Sequence, residues 1–123
     1  MCLFTSQLLA QGNLQFNQVV TVTESFTLSQ IGFNSWGYTG SVFTVPENKV
    51  WKIEKFSGDI IGTNSGSNFL RINNVTDMSV ETLNSGPTWL KAGDFLVPSA
   101  ACTGCGALSG NFLVSIIEFN VIP

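Results

Sequence analysis

The sequence contains no histidine, and this absence excludes several kinds of active site at once. Ser-His-Asp and Cys-His nucleophile systems both need an imidazole as the general base. Imidazole is also the commonest side-chain ligand for protein-bound metals. We therefore expect no catalytic site of these types, no metal site and no cofactor.

Charged residues are scarce as well, at 11% of the 123 residues. Five basic residues stand against eight acidic ones, so the chain lacks the positive patch that binds nucleic acid or an anionic membrane. No apolar run approaches the roughly 20 residues of a membrane-spanning helix. Polarity comes instead from 11 Asn, 13 Ser and 11 Thr residues. This composition favours strands and turns over helices.

The first residues, MCLFTSQLLAQG, resemble part of an export signal. An apolar stretch is followed by Ala10 before Gln11, which suits a small residue at a cleavage point. We predict that residues 1–10 are a signal-peptide remnant and that residues 11–123 form one domain with a single core. Such a chain would be secreted, placed at the cell surface or held in the periplasm. The alternative for residues 1–10 is an ordinary first strand.

The spacing of apolar residues predicts an all-β fold. Apolar and polar residues alternate between Leu14 and Leu28, which indicates one half-buried strand or two strands end to end, with Glu24 at the bend. Turn-forming clusters at 46–49, 62–68 and 84–89 and an Ala-Gly-Asp bend separate further short strands. The last segment, 111–122, is apolar on both faces until Glu118, as in a strand at the middle of a sheet. About seven or eight strands predict an antiparallel β-sandwich, jelly-roll-like, with the last strand beside the first.

Three segments resemble the strand pattern of small exported or virion-type jelly-roll modules. They are TVPENKVWKIEKF, LKAGDF and FLVSIIEFNVI, and the resemblance covers residues 41–122. It implies an architecture and no particular activity. The related cupin barrels bind metal through a His-x-His motif and a Glu, so their chemistry is not implied for a chain without histidine.

The aromatic segment GFNSWGYTG, residues 32–40, is predicted to be a loop and a candidate ligand site. Aromatic rings beside an amide suit a sugar or peptide ligand, which needs an apolar surface and hydrogen-bond partners. The candidate binding residues are Phe33, Asn34, Trp36 and Tyr38. The alternative is that Trp36 folds back and plugs the open end of the sandwich. The other two tryptophans, Trp51 and Trp89, are expected in the core.

The CTGC segment carries Cys102 and Cys105 among small residues. Glycines around it argue against the helix N-terminus on which a thioredoxin-like motif depends. Two cysteines also supply only half of a zinc site. We predict a local disulfide, which fits an oxidising compartment. Free thiols, redox activity and a metal shared between chains are the alternatives.

Carboxylates are the remaining catalytic candidates, because glycoside hydrolysis needs only an acid and a base or nucleophile at fixed separation. The chain offers Glu54, Asp59, Glu81 and Glu118. Glu118, between apolar neighbours, is either desolvated or marks where its strand reaches solvent or meets a Lys or Arg.

The sequence favours an exported, non-enzymatic structural or adhesive β-sandwich that forms a homo-oligomer. It predicts no nucleic-acid partner and no membrane span. The first alternative is a carbohydrate-binding module that uses the loop aromatics, and the partners expected besides a second copy are a glycan or a surface protein. The second is an enzyme, either a carboxylate glycosidase or a thiol oxidoreductase.

Overall fold

The computed structural model describes residues 14–62, 66–79 and 88–122, so the predicted signal remnant and Glu81 lie outside the described residues. Within these ranges the chain forms ten strands and no helix. The strands are β1 (Leu14–Thr27), β2 (Ser29–Gly32), β3 (Ser35–Thr39), β4 (Phe43–Thr44), β5 (Lys49–Ile60), β6 (Ser67–Ile72), β7 (Thr76–Ser79), β8 (Thr88–Lys91), β9 (Phe95–Thr103) and β10 (Ser109–Val121).

The strands form two antiparallel sheets that pack against each other. Sheet A has the order β1-β10-β5-β8, and sheet B has the order β2-β3-β9-β6-β7 with β4 joined to β9. The pairs β1 with β10, β3 with β9, β5 with β8 and β6 with β7 are nested, as when one long hairpin is rolled up. This is the jelly-roll topology, and it confirms the predicted fold class. The short strands β2 and β4 are added to its eight strands.

The core lies between the inner faces of the two sheets. Its fully buried side chains come from both sheets and include Ile53, Phe56, Leu70, Leu96 and Ile116. Each such side chain contributes roughly 1.5–3 kcal/mol when it leaves water. Strand β10 lies between β1 and β5, so the last strand pairs with the first, as the sequence predicts.

Strand β1 is a single strand with a bulge near its beginning. The bulge falls between Phe16 and Gln18, and from Gln18 to Thr27 the pairing with β10 is continuous. The predicted bend at Glu24 is therefore wrong. The inward carboxylate of Glu24 is accommodated because it accepts a 2.7 Å hydrogen bond from the hydroxyl of Tyr38.

Asparagines in the left-handed region close several turns. Asn34, Asn48, Asn73 and Asn74 have φ values of 57°, 61°, 53° and 58°. Asn and Gly reach this region at lower cost than other residues. Two successive left-handed residues, as at 73–74, are what a tight two-residue hairpin turn requires. The predicted turns at residues 46–49 and at the Ala-Gly-Asp bend are confirmed by bonds from the Lys49 N–H to the Pro46 carbonyl oxygen and from the Asp94 N–H to the Lys91 carbonyl oxygen.

The segment 32–40, predicted to be a loop, is instead most of a hairpin. Strands β2 and β3 flank a turn at residues 33–34, and β3 pairs with β9 along its whole length. Gly37, one of the three glycines in this segment, is the misleading feature. Gly37 is buried, and a Cβ there would lie 3.0 Å from Ile31 Cδ1 and 3.3 Å from the Ala100 carbonyl oxygen. It is needed for close packing on the sheet and does not signal a loop.

Candidate functional site

The fold brings the aromatic hairpin and the cysteine segment together at one end of the sandwich. Trp36 on β3 lies opposite Cys102 on β9. Beyond the strands, the Gly104 N–H donates a 2.8 Å hydrogen bond to the Asn34 carbonyl oxygen. We call this end, with the 33–34 turn and residues 102–106, the cysteine end.

Only part of the predicted aromatic site faces solvent. Phe33 is 99% exposed at the hairpin turn, and Asn34 beside it is exposed. Trp36 and Tyr38 instead pack against the hydrophobic core. The Tyr38 ring stacks on Phe26 with centroids 5.0 Å apart. Phe33 and Asn34 are therefore exposed at the turn, whereas Trp36 and Tyr38 are partly buried against the core, and ligand binding by the four residues stays a prediction.

The two cysteines lie at disulfide distance, with Cα atoms 5.8 Å apart, inside the range that a disulfide allows. Cys102 is buried, and Cys105 packs against the edge of the core. Gly104, between the two cysteines, and Gly106, directly after Cys105, have φ values of 73° and 77°. This backbone is not helical, so the pair lacks the helix N-terminus on which thioredoxin-like motifs depend.

The opposite end of the sandwich contains a buried carboxylate. Glu118 is 3% exposed and lies on the inner face of sheet A, between Gln18 on β1 and Trp51 on β5. Its two oxygens accept hydrogen bonds from Trp51 Nε1 at 2.7 Å, Gln18 Nε2 at 2.9 Å and Asn17 Nδ2 at 2.7 Å. Asn17 is the extra residue of the β1 bulge, and the bulge lets two consecutive amides reach one carboxylate.

These contacts determine the charge of Glu118. Burial alone raises the pKa of this carboxyl group, but the hydrogen bonds from Trp51, Gln18 and Asn17 and the nearby positive charge of Lys49 together outweigh burial. The net pKa lies below the usual range, so the group is ionised at neutral pH. A glycosidase acid needs the opposite shift. Within the described residues Glu118 neither reaches solvent nor forms a direct ion pair, because amides and an indole satisfy it.

The other two candidate carboxylates in the described residues, Glu54 and Asp59, lie apart from Glu118 on the outside of sheet A. Glu54 is paired with Lys52 at 2.8 Å, and Asp59 lies at a shallow groove of about 450 Å³ together with Ser57 and Asn111. Glu54 and Asp59 are five residues apart on one strand, or about 16 Å, which exceeds the spacing of glycosidase acid pairs. No group of three or more Cys, Asp or Glu in the described part of the chain could hold a metal ion.

One of the two tryptophans expected in the core lies at the surface. Trp51 is buried as expected, but Trp89 on β8 is 50% exposed on the outer face of sheet A. In this strand Leu90 takes the inward position, at 3% exposure, so the alternation turns Trp89 outward. The local period-two pattern, and not the average burial of tryptophan, was the useful signal.

No protein-family model matches the chain, and neither a curated protein nor a solved structure resembles it at a significant level. Among the described residues there is no helix of the length and apolarity needed to cross a bilayer.

Proposed function

We propose that this chain is an exported, non-enzymatic structural module that associates with a second copy of itself along the free edge of β1. The observation that carries the proposal is the difference in length among the edge strands. In the described residues the edges of the two sheets are β1, with 14 residues, and β8, β2 and β7, with four residues each. A long unpaired edge offers a row of backbone donors and acceptors to another strand.

Strand β1 has few of the devices by which proteins block such an edge. It contains no Lys, Arg or Pro, and its single bulge lies near its beginning. Its one charge, Glu24, is turned toward the hydroxyl of Tyr38 and the backbone N–H of Ser41, at 2.7 Å and 3.2 Å. Residues 18–27 therefore form a regular edge of ten residues on which no like charges would meet.

Two antiparallel copies of β1 would be related by a two-fold axis and would join two four-stranded sheets into one of eight strands. Pairing of ten residues forms about ten backbone hydrogen bonds. The outer face of the same strand exposes Phe16 and Val19, each at 59%, which would contact the partner's strand. Large apolar side chains at an edge favour burial against a second chain.

The export and the lack of enzymatic activity rest on separate observations. Cys102 and Cys105 at disulfide distance are compatible with an oxidising location outside the cytoplasm. The absence of histidine excludes imidazole-based sites, Glu118 is ionised at neutral pH, and Glu54 and Asp59 are too widely spaced for a glycosidase pair. A scaffold role needs none of these groups.

Light scattering on the purified full chain tests the proposal. We expect a dimer at tens of micromolar, and a monomer when Thr21→Lys and Thr23→Lys place two cations on the exposed outer face of β1. The control, Thr39→Lys with Thr103→Lys, adds the same charge on exposed positions of sheet B and should remain a dimer. A wild-type chain that is monomeric at about 1 mM, or a control that dissociates equally, overturns the proposal.

A further inference from the structure

The outer face of sheet A carries an aromatic pair that the proposed assembly does not use. Trp89 on the β8 edge is 50% exposed, and its ring lies 5.7 Å from the ring of Phe119, at an interplanar angle of 30°. The two rings come from different strands, β8 and β10, and β5 lies between them. Because the sheet holds both strands, the indole surface is fixed before any ligand arrives.

Polar groups border this ring surface. The Lys52 ammonium lies over the Trp89 ring, 5.7 Å from its centre, and it is paired with the Glu54 carboxylate at 2.8 Å. Lys52 is the direct cross-strand neighbour of Trp89. The pair has no net charge, yet it offers ammonium N–H donors and carboxylate acceptors beside the ring. A site of this kind attracts neither anions nor cations strongly but can hydrogen-bond hydroxyl groups.

We infer that Trp89, Phe119, Lys52 and Glu54 form a binding site for a neutral saccharide. One face of a pyranose ring presents C–H groups that pack on an aromatic ring, and its hydroxyls need donors and acceptors at the rim. The site supplies both. It lies on sheet A, away from the hairpin turn that holds Phe33 and Asn34, the exposed part of the aromatic site predicted from sequence.

The Trp89 side of the saccharide site lies away from the assembly at β1, whereas Phe119 on β10 is the direct cross-strand neighbour of Phe16 on β1. Strand β8 is three strand spacings from β1 in sheet A, or about 14 Å. An oligomer joined through β1 would leave the Trp89 surface open on each copy. Two or more weak saccharide sites on one oligomer raise its overall affinity for a polymer with repeated sugars.

Affinity electrophoresis of the full chain tests the site. The gels contain hydroxyethyl cellulose, xylan, galactomannan or laminarin, and one further gel contains alginate as an anionic comparison. We expect retardation by at least one neutral polymer, loss of at least tenfold in affinity for Trp89→Ala, and a smaller loss for Trp89→Phe. A second variant, Lys52→Met, should weaken binding at least threefold while the ring remains. The matched control is Phe33→Ala, which removes another exposed aromatic and should bind as the wild type.

Three results would overturn the inference. They are no retardation by any neutral polymer, equal retardation of Trp89→Ala and wild type, and binding to alginate alone. Light scattering of Trp89→Ala separates this site from a protein contact, because loss of the oligomer would mean that a second copy covers Trp89. If Trp89→Ala remains dimeric but no longer binds sugar, the saccharide site is supported. If the Thr21→Lys, Thr23→Lys protein remains dimeric, only the proposed assembly at β1 is contradicted.

Discussion

Replacing Glu118 with leucine should lower the free energy of unfolding by about 2–3 kcal/mol. Leucine keeps much of the side-chain volume but accepts no hydrogen bond. The indole N–H of Trp51 is then left without its partner, and both side chains are buried, at 5% and 3% exposure. An unsatisfied buried donor costs about 1–3 kcal/mol. Asn17 and Gln18 are exposed, so their amides return to water at little cost.

Glu118→Gln should be milder, at about 1 kcal/mol, because a glutamine still accepts one bond from Trp51. Its new NH₂ group meets Gln18 and Asn17, and each of those amides can rotate to present its oxygen. The difference between the two substitutions therefore isolates the indole donor. Trp51→Phe removes that donor, so Glu118→Leu should cost less in the Trp51→Phe background than in the wild type.

Urea unfolding followed by circular dichroism measures the wild type and the four variants, and the Glu118→Leu protein should also melt roughly 8–10 °C lower. Coupling between the two sites of at least about 1 kcal/mol is expected from the double-mutant cycle. Equal costs for the leucine and glutamine variants, or additivity within about 0.5 kcal/mol, would refute the assignment of Glu118 as the acceptor of the buried indole.

Three further outcomes follow from the same structure. Because the pKa of Glu118 is lowered in the folded state, its contribution to the free energy of unfolding should be fully present above the unfolded pKa, near pH 4.3, and lost as the pH falls through the folded pKa. Unfolding measured from pH 6 to 2 should show a weaker loss of stability in acid for Glu118→Gln than for the wild type. Replacing Cys102 and Cys105 together with alanine should cost about 2 kcal/mol in urea unfolding, because the closed loop is short, and a loss above about 4 kcal/mol would assign the pair a larger role. Gly110→Ala should cost about 1–3 kcal/mol in the same assay, because its Cβ would overlap the carbonyl oxygen of Asp59, and an unchanged midpoint would contradict that packing.

Much of the fold was accessible from the sequence because period-two alternation is a local signal. The segment from 111 to 122 is apolar at successive positions, and only a strand with neighbours on both sides and a sheet above it buries such a run. The turns at 46–49 and at the Ala-Gly-Asp bend were equally local, since Pro, Asn and Gly set their backbone angles directly. Pairing of the last strand with the first then followed from the need to protect edges.

The candidate sites were less accessible because they depend on register between distant strands. Glu118 meets Gln18, which is 100 residues away in sequence, and no local pattern encodes that distance. The direction of Trp36 and Tyr38 was hidden by Gly37, whose role is close packing against Ile31 and not flexibility. Trp89 was misplaced because the average burial of a residue type is weaker evidence than the phase of its own strand.

The bulge at Asn17 links the interior of the molecule to its proposed surface of assembly. Without an extra residue, alternation from Val20 and Val22 would place Phe16 and Gln18 on the inner face together. With it, Asn17 and Gln18 both reach Glu118, and the strand leaves Phe16 and Val19 exposed on the outer face. A single inserted residue therefore satisfies the one buried carboxylate in the described core and turns a large aromatic side chain toward solvent. Because both effects share one backbone feature, the stability of the Glu118 end and the shape of the β1 edge should vary together.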